Sequence, residues 1–308
     1  MAGNNTWPPV VTIVEVGPRD GFQNVKDIIP AENKTAIIDL LVQSGLSDIE
    51  FTSFVNPKTV PQMADAKFVA KHVMQNFPDI RAIALVPNFR GAQNAWEAGL
   101  KEITYVVSAS EGHNQANVAR SIEQSLAALK EIREGLPGLT VRVSLATAFA
   151  CPFAGVTQLE DVLRVLQELA GMGVQEIVLC DTIGVANPRQ VYQYAFEVQK
   201  AFPNVNFGLH LHNTRGMGLA NMLAGMKTGI KLFETAVGGL GGCPFAPGAA
   251  GNTATEDAVN MLHSMGVQTN VNMKKLLQAV QKVEQLVPAP LTGNMKDAKI
   301  YDNTVDMG

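Results

Sequence analysis

Short apolar runs rich in β-branched residues alternate with longer segments of helical periodicity along almost the whole chain. Runs of this kind, bounded by polar or turn residues, are typical of strands that are buried on both faces of a parallel sheet. The predicted strands are Val10–Val16, Asp48–Thr52, Ile80–Val86, Glu102–Val107, Thr140–Ala146, Glu176–Cys180, Asn206–Leu211 and Leu232–Val237.

Each predicted strand is followed by a segment whose apolar residues recur three or four positions apart, which predicts an amphipathic helix. In the first of these segments, Asn33–Ser44, the apolar positions are Ile37, Leu40 and Leu41. The later helices are predicted at Ala64–Asn76, Gly91–Ala98, a long stretch through Val118–Glu134, Leu159–Gly171, a helix beginning at Pro188, Gly218–Gly229 and Thr255–Met265. After the last unit, Asn270–Val287 predicts one further amphipathic helix.

Strict alternation of strands and helices favours a parallel sheet with crossover helices, and eight units in about 250 residues is the count of a (β/α)8 TIM barrel. We therefore predict an α/β fold with a single domain over residues 1–308. The barrel is expected at about residues 10–268, and a short C-terminal helical extension and tail at 269–308. A doubly wound open sheet is the alternative, and it is less favoured because no dinucleotide-binding glycine pattern opens the first unit.

Composition and charge narrow the classes of function. The formal net charge is −4, so no basic surface points to nucleic acid. No apolar run is long enough to span a bilayer, and Met1–Pro9 lacks the basic and apolar regions of a signal peptide. Cys151, Cys180 and Cys243 stand at unrelated spacings, which predicts neither a disulfide scaffold nor a zinc knuckle. We expect a cytoplasmic enzyme with reduced thiols.

Polar residues gather where the predicted strands end, which is where barrel enzymes carry their active sites. His210 and His212 end strand seven two positions apart, so both imidazoles point to one face and can bind one cation. Two structural histidines are the alternative, but apolar strands rarely place two imidazoles side by side. Asp20 and Asn252, after strands one and eight, add oxygen ligands. This set suits Mg²⁺ or Mn²⁺, with Fe²⁺, Co²⁺ or Zn²⁺ as further options.

Arg19 stands directly beside Asp20 and can donate two parallel hydrogen bonds to an oxyanion or enolate at the metal. The alternative is an arginine that only closes the barrel end by pairing with Glu50. Both interpretations hold together if Glu50 fixes the orientation of the Arg19 guanidinium.

Cys243 lies in a glycine-rich loop, Gly238–Pro247, which can fold over a site as a lid. A free thiol has a reference pKa of about 8.5 and is mostly protonated at neutral pH, which suits a proton donor to carbon. The alternative, a buried and inert thiol, fits Cys180 in its apolar strand better. Among the other histidines, His72 and His263 lie in predicted helices, and His113 follows strand four.

Taken together, these residues resemble the 3-hydroxy-3-methylglutaryl-CoA (HMG-CoA) lyase family. The similarity covers the chain from about Val11 to Leu277, and the glycine–cysteine loop is its most specific part. The matching stretches are Val14–Gly21, Ile49–Phe54, Asp181–Val185, Gly239–Pro244, Gly251–Asn252 and Thr255–Asp257.

The resemblance implies a retro-Claisen carbon–carbon lyase that cleaves an HMG-CoA-like thioester to acetyl-CoA and acetoacetate, in leucine degradation, as a homodimer or higher homo-oligomer. It implies Mg²⁺ or Mn²⁺ held by Asp20, His210, His212 and Asn252. It implies catalytic roles for Arg19, Glu50, Asp181, His210 and Cys243, with the general base open between His210 and Asp181. Substrate binding is expected at Arg19, Lys26 and Arg215.

The residues after His212 depart from the better-known members of that family. The run Asn213–Gly216, Asn-Thr-Arg-Gly, stands where animal enzymes have Asp-Thr-Tyr-Gly, and Phe22 stands where many members have Leu. An added cation and a lost carboxylate near the metal can change the preferred acyl group. We expect Arg215 to contact either the free carboxylate of the substrate or a CoA phosphate.

Several other functions are compatible with the same rim of residues. Condensing barrels of the isopropylmalate and homocitrate synthase type share the arginine–aspartate and His-X-His elements, but they usually carry a large C-terminal region. A lyase for another 3-hydroxyacyl-CoA, such as citramalyl-CoA, and an aldolase for a non-CoA hydroxy-oxo acid are further alternatives. A non-catalytic binding protein has no reason to keep metal ligands, an arginine and a thiol on one rim.

Overall fold

Eight parallel strands close into a barrel in the computed structural model, which describes residues 7–242 and 251–299. In chain order they are β1 Thr12–Glu15, β2 Asp48–Ser53, β3 Arg81–Val86, β4 Glu102–Ser108, β5 Thr140–Ala146, β6 Glu176–Asp181, β7 Asn206–Leu211 and β8 Leu232–Thr235. Because β1 pairs with both β2 and β8, the sheet has no open edge. The predicted TIM barrel is confirmed, and the open-sheet alternative is wrong.

Helices follow the strands and cover the outside of the barrel. They are α1 Ala31–Gln43, α2 Ala66–Asn76, α3 Phe89–Glu97, α4 Glu111–Val118, α5 Ile122–Gly135, α6 Leu159–Gly171, α7 Pro188–Ala201, α8 Gly218–Met226, α9 Thr255–Ser264 and α10 Met273–Leu286. Several of these helices begin with a side-chain cap. At the start of α7 the Asn187 side chain accepts a hydrogen bond from the Gln190 backbone N–H, and Pro188 lies in the first turn.

The long helix predicted through Val118–Glu134 is observed as α5, but it begins only at Ile122, and a separate short helix, α4, precedes it. Ala119 ends α4 in the left-handed conformation, with φ of 53°. Ser121 then begins α5 with a reciprocal cap, in which its side chain and that of Gln124 each bond the other's backbone N–H. A short hairpin after β5, Ala150–Cys151 with Gly155–Val156, was not predicted.

The predicted extension helix is confirmed as α10, whose apolar face is part of the same buried core as the barrel. Leu276, Val280 and Val283 are almost fully buried there. The backbone N–H of Asn272, at the start of α10, donates to the carbonyl of Ser44 at 2.7 Å. No helix within the described ranges is long and apolar enough to cross a membrane.

The two ends of the described chain attach to opposite ends of the barrel. Near the start, the N–H of Gln268 donates to the carbonyl of Pro9 at 3.0 Å, at the end where the strands begin. After α10, the segment Leu291–Gly293, here called the C-terminal clasp, crosses to the end where the strands finish. The N–H of Thr292 donates there to the carbonyl of Gly238 at 2.8 Å. The clasp therefore holds the start of the glycine-rich loop.

Candidate active site

A cavity of about 630 Å³ opens at the carboxyl ends of the barrel strands. Arg19, Asp20, His210 and His212 all line it. A π-helical turn at Gly17–Gly21, directly after β1, carries the first two, and the end of β7 carries the two histidines. The predicted gathering of polar residues at this rim is confirmed.

Asp20, His210 and His212 form a compact cluster of possible metal ligands. One ligand atom from each lies within 4.8 Å of the others. The two Nε2 atoms of the histidines lie 3.1 Å apart, so both rings turn the same nitrogen toward one point. Two residues apart on a strand, they share a face as the sequence predicted.

Asn252 joins this cluster through both strand pairing and its side chain. It forms an isolated antiparallel bridge with His212, and its Nδ2 donates to Asp20 Oδ2 at 2.8 Å. Its Oδ1 is buried and has no hydrogen-bond partner among the described residues. A buried oxygen without a partner is unfavourable, and a cation satisfies it. Two imidazoles, a carboxylate and this amide oxygen together fit a divalent cation.

Electrostatics keep His212 and Asp20 in the forms that bind metal. Burial and the nearby charge of His210 lower the pKa of His212 to about 4, so its ring is neutral at neutral pH. Burial alone would raise the pKa of Asp20, but the charges of Arg19 and His210 outweigh that effect and lower it. A neutral imidazole and an ionised carboxylate are the states required of metal ligands.

Arg19 is a fixed cation in the cavity wall. Its Nε donates to Glu50, and its Nη1 donates to Asp20 Oδ1 at 2.5 Å. Glu50 is fully buried, and its other oxygen accepts a hydrogen bond from the hydroxyl of Thr104. Burial lowers the pKa of Arg19, but the charges of Glu50 and Asp20 outweigh it and raise the pKa, so the guanidinium stays charged. The predicted contact between Glu50 and Arg19 is confirmed.

Asp181 lies at the end of β6, with its carboxylate directed toward the following loop. Oδ1 and Oδ2 accept hydrogen bonds from the backbone N–H groups of Val185 and Ala186 at 3.0 and 3.2 Å. Burial raises the pKa of Asp181 to about 6, although these two bonds lower it. Its chain neighbours Cys180 and Thr182 line the cavity.

The two predicted substrate-binding cations outside the metal cluster have different positions. Lys26 lines the cavity. Arg215 is exposed and does not line it; its Nη1 donates to the carbonyls of Ile183 and Gly184 at 3.2 and 3.0 Å. His113, which follows β4, also lines the cavity, and its Nδ1 lies 2.6 Å from Ser108 Oγ.

The glycine-rich loop approaches the ligand cluster closely at Gly241. Its φ is 117°, and a Cβ at this position would lie 2.5 Å from Asn252 Nδ2 and 3.2 Å from Asp20 Oδ2. Only glycine fits both this conformation and this approach. Gly242 lines the cavity, and Cys243, which follows it, lies outside the described residues.

The sequence interpretation missed one pair of buried charges next to the cluster. Glu234 in β8 accepts a hydrogen bond from His210 Nδ1 at 2.8 Å, and Arg142 in β5 pairs with the other carboxylate oxygen at 2.7 Å. The signal for both was a charged residue inside an otherwise apolar strand, which is rare unless the charge is paired. Their meeting across the barrel depends on strand order and register, which a single sequence does not display.

Comparison with known proteins finds similarity over nearly the whole chain. Residues 10–283 match the model of the HMGL-like family. The chain is 45% identical over 287 residues to hydroxymethylglutaryl-CoA lyase YngG of Bacillus subtilis, covering 92% of this chain and 96% of that one. It is 38% identical over 309 residues to the (R)-citramalyl-CoA lyase of Chloroflexus aurantiacus, covering 96% and 98%.

A solved structure shares the same fold. The HMG-CoA lyase of Acinetobacter baumannii, in complex with coenzyme A and 3-methylmalate, superposes with a TM-score of 0.89 at 37% identity. The similarity covers 97% of each chain.

Proposed function

Because this chain belongs to the HMGL-like family and is a carbon–carbon lyase of the HMG-CoA lyase type, we propose that its substrate is 3-hydroxy-3-methylglutaryl-CoA or a close thioester analogue. The products would be acetyl-CoA and acetoacetate, or the corresponding oxo acid. The observation that carries the proposal is the meeting of Asp20, His210 and His212 beside Arg19 in one cavity.

We assign Mg²⁺ or Mn²⁺ to Asp20, His210, His212 and Asn252. The ligand cluster supports this assignment through its neutral imidazole, its carboxylate and the buried Asn252 Oδ1. When bound, the metal supplies Lewis acidity toward the hydroxyl and carbonyl oxygens of the substrate.

In the proposed reaction two protons are transferred, and the residues of the chain stabilise one developing negative charge. A base removes the proton of the 3-hydroxyl group, that C–O bond becomes a carbonyl, and the neighbouring carbon–carbon bond breaks. The electron pair of the broken bond passes to the thioester enolate, beside the Arg19 guanidinium, which Glu50 holds in place. Protonation of the enolate carbon then yields the methyl group of acetyl-CoA, with Cys243 or a water as the donor.

The base is open between His210 and Asp181, and each has both of its polar side-chain atoms engaged in the structure. Both ring nitrogens of His210 are engaged, Nδ1 with Glu234 and Nε2 at the point shared with His212. Asp181 has a pKa raised by burial to about 6, close to the pH at which an enzyme operates, which suits a general base.

Replacing Cys243 with alanine tests the proposed proton donor. We expect kcat to fall by about 10²-fold with metal content unchanged, because a proton transfer is lost and no ligand is. Cys151→Ala is the matched control: this buried thiol does not line the cavity, so its turnover should stay near wild type. Turnover of Cys243→Ala equal to wild type would remove the thiol from the reaction.

Replacing Arg215 with alanine tests the proposed contact with the acyl-CoA. Arg215 is exposed and would exchange its bonds to the carbonyls of Ile183 and Gly184 for an anionic group of the substrate. We expect KM to rise about threefold to fivefold with kcat little changed, as is usual for an exposed charge pair. The control is Arg189→Ala, an exposed arginine on α7. If KM and substrate preference both match this control, Arg215 does not touch the substrate.

A second candidate substrate is citramalyl-CoA. It is favoured by the 38% identity to a citramalyl-CoA lyase and by the replacement of the animal Asp-Thr-Tyr-Gly run with Asn213–Gly216. The deciding experiment incubates the protein with a panel of 3-hydroxyacyl-CoA thioesters and Mg²⁺ or Mn²⁺, and identifies products by mass. Acetoacetate as the main oxo acid supports HMG-CoA, and pyruvate supports citramalyl-CoA. If no thioester is cleaved, and incubation with acetyl-CoA and a 2-oxo acid instead releases free CoA thiol, the protein is a synthase.

We further propose that the enzyme acts in the cytoplasm, in leucine degradation, as a homodimer or a higher homo-oligomer. Two buried free thiols, Cys151 and Cys180, fit a reducing compartment. Light scattering of the purified protein measures the oligomeric state.

A further inference from the structure

Glu234 is a buried carboxylate that touches one of the two metal-binding histidines and has no part in the steps described above. It lies directly across from His210 in the pairing of β8 with β7. Its Oε2 accepts a hydrogen bond from His210 Nδ1 at 2.8 Å. The contact is therefore built into the strand register and does not depend on a flexible loop.

We propose that Glu234 is a positioning residue for the metal centre, which orients the His210 ring and keeps its proton on Nδ1, and that Arg142 fixes Glu234 for this task. The inference rests on the proposed function, because it takes His210 to be a metal ligand. A ring with its proton on Nδ1 has its lone pair on Nε2, the atom that faces His212. A carboxylate behind a ligating imidazole orients the ring and fixes its tautomer.

The two histidines are supported differently. The Nδ1 atom of His212 is buried and has no hydrogen-bond partner among the residues that the structure describes. His212 is instead held through the backbone bridge to Asn252. Loss of the carboxylate at Glu234 should therefore act on the metal through His210 alone.

Arg142 determines which oxygen of Glu234 faces the histidine. It is fully buried in β5, with Nη2 2.7 Å from Glu234 Oε1 and Nε 2.9 Å from Glu176 Oε1. Both are close ion pairs whose geometry does not meet the criteria for hydrogen bonds. Glu176 also pairs with Arg81 at 2.8 Å, so a chain of opposite charges crosses the barrel interior and ends at His210. Because a guanidinium has only donors, the atom of residue 234 that faces it must be an acceptor.

This geometry makes Glu234→Gln a sharp test. Arg142 should hold the amide oxygen, which leaves the amide NH₂ facing His210 Nδ1. That NH₂ can only donate, so the ring proton must move to Nε2, the nitrogen needed for the metal. We expect the Kd for Mn²⁺ to rise by about 10-fold to 100-fold. Glu234→Asp keeps an acceptor but shortens the side chain, and it should give a smaller loss.

Mn²⁺ binding is measured by electron paramagnetic resonance of the free ion, which needs no substrate and no turnover. In a His210→Ala background, Glu234→Gln should change the Kd by less than about twofold, because the residue through which it acts is gone. Glu176→Gln is the matched control, since it alters the same chain of charges without touching His210, and it should bind Mn²⁺ like wild type.

Two results would overturn the positioning role: Mn²⁺ binding by Glu234→Gln equal to wild type, or an equal loss with and without His210. If Glu234→Gln does not fold, Glu234→Asp is carried through the same cycle and judged by the same two results. Failure of the wild type to bind Mn²⁺ would instead overturn the metal assignment in the proposed function. The two failures are therefore distinguishable.

Discussion

Arg19→Lys is expected to lower kcat by about 10³-fold while Mn²⁺ still binds, because one point charge replaces a planar pair of donors at the developing enolate. The lysine cannot contact Glu50 and Asp20 in the two directions that the guanidinium Nε and Nη1 take in the structure. A lysine that turns toward Asp20 leaves the fully buried Glu50 with the Thr104 hydroxyl as its remaining side-chain donor among the described residues. Steady-state kinetics with HMG-CoA, alongside Mn²⁺ titration, separates the loss of turnover from any loss of metal.

The matched control for this variant is Arg120→Lys. Arg120 lines the same cavity, but its Nη1 donates to the backbone carbonyl of Pro87 at 3.2 Å and not to a carboxylate. A lysine can replace such a bond, so kcat should change by no more than a few-fold. If Arg19→Lys behaves like this control, the enolate charge is received elsewhere in the cavity.

His212→Ala is expected to remove metal binding and, with it, activity. The substitution deletes one imidazole and also the Nε2 that lies 3.1 Å from His210 Nε2, so the cluster loses both a ligand and its geometry. The Kd for Mn²⁺ should rise by at least about 10²-fold, and turnover should be lost at submillimolar metal. Metal content after dialysis against Mn²⁺ measures this directly.

His72→Ala provides the comparison for that measurement. His72 lies on α2 and pairs with Asp39 at 2.7 Å, away from the cavity lining. The His72→Ala variant should bind Mn²⁺ with wild-type stoichiometry. Undiminished metal in His212→Ala would show that the divalent cation binds elsewhere.

The barrel and the clustering of the candidate ligands were predictable because each depends on short-range rules. Alternation of side chains along a strand is enough to place His210 and His212 on one face. Closure of eight strand–helix units is enough to bring Asp20 and Asn252 to the same end as that pair. The contact of Arg19 with Glu50 also followed, because neighbouring strands end side by side.

Features that depend on register or on a single backbone angle were not predictable in the same way. Glu234 and Arg142 are one charge each in apolar strands. The contact of Glu234 with His210 requires the pairing of β7 with β8, and Arg142 in turn contacts Glu234. The late start of the predicted long helix depends on Ala119, a residue type that normally favours helices and here adopts a left-handed φ. The position of Arg215 outside the cavity depends on how the loop after β6 folds back to offer its carbonyls.

The C-terminal clasp has a practical consequence for anyone who handles this enzyme. Because Leu291–Gly293 hydrogen-bonds to Gly238 at the end of the barrel where acyl-CoA must enter, a fusion partner or resin linker joined at this segment would start beside that entrance. Pro9 is tied to Gln268 at the far end of the barrel, so a linker joined at Trp7, the first described residue, would start on the opposite side from that entrance. Surface immobilisation for biosensor or flow-reactor work should therefore use the N-terminal attachment.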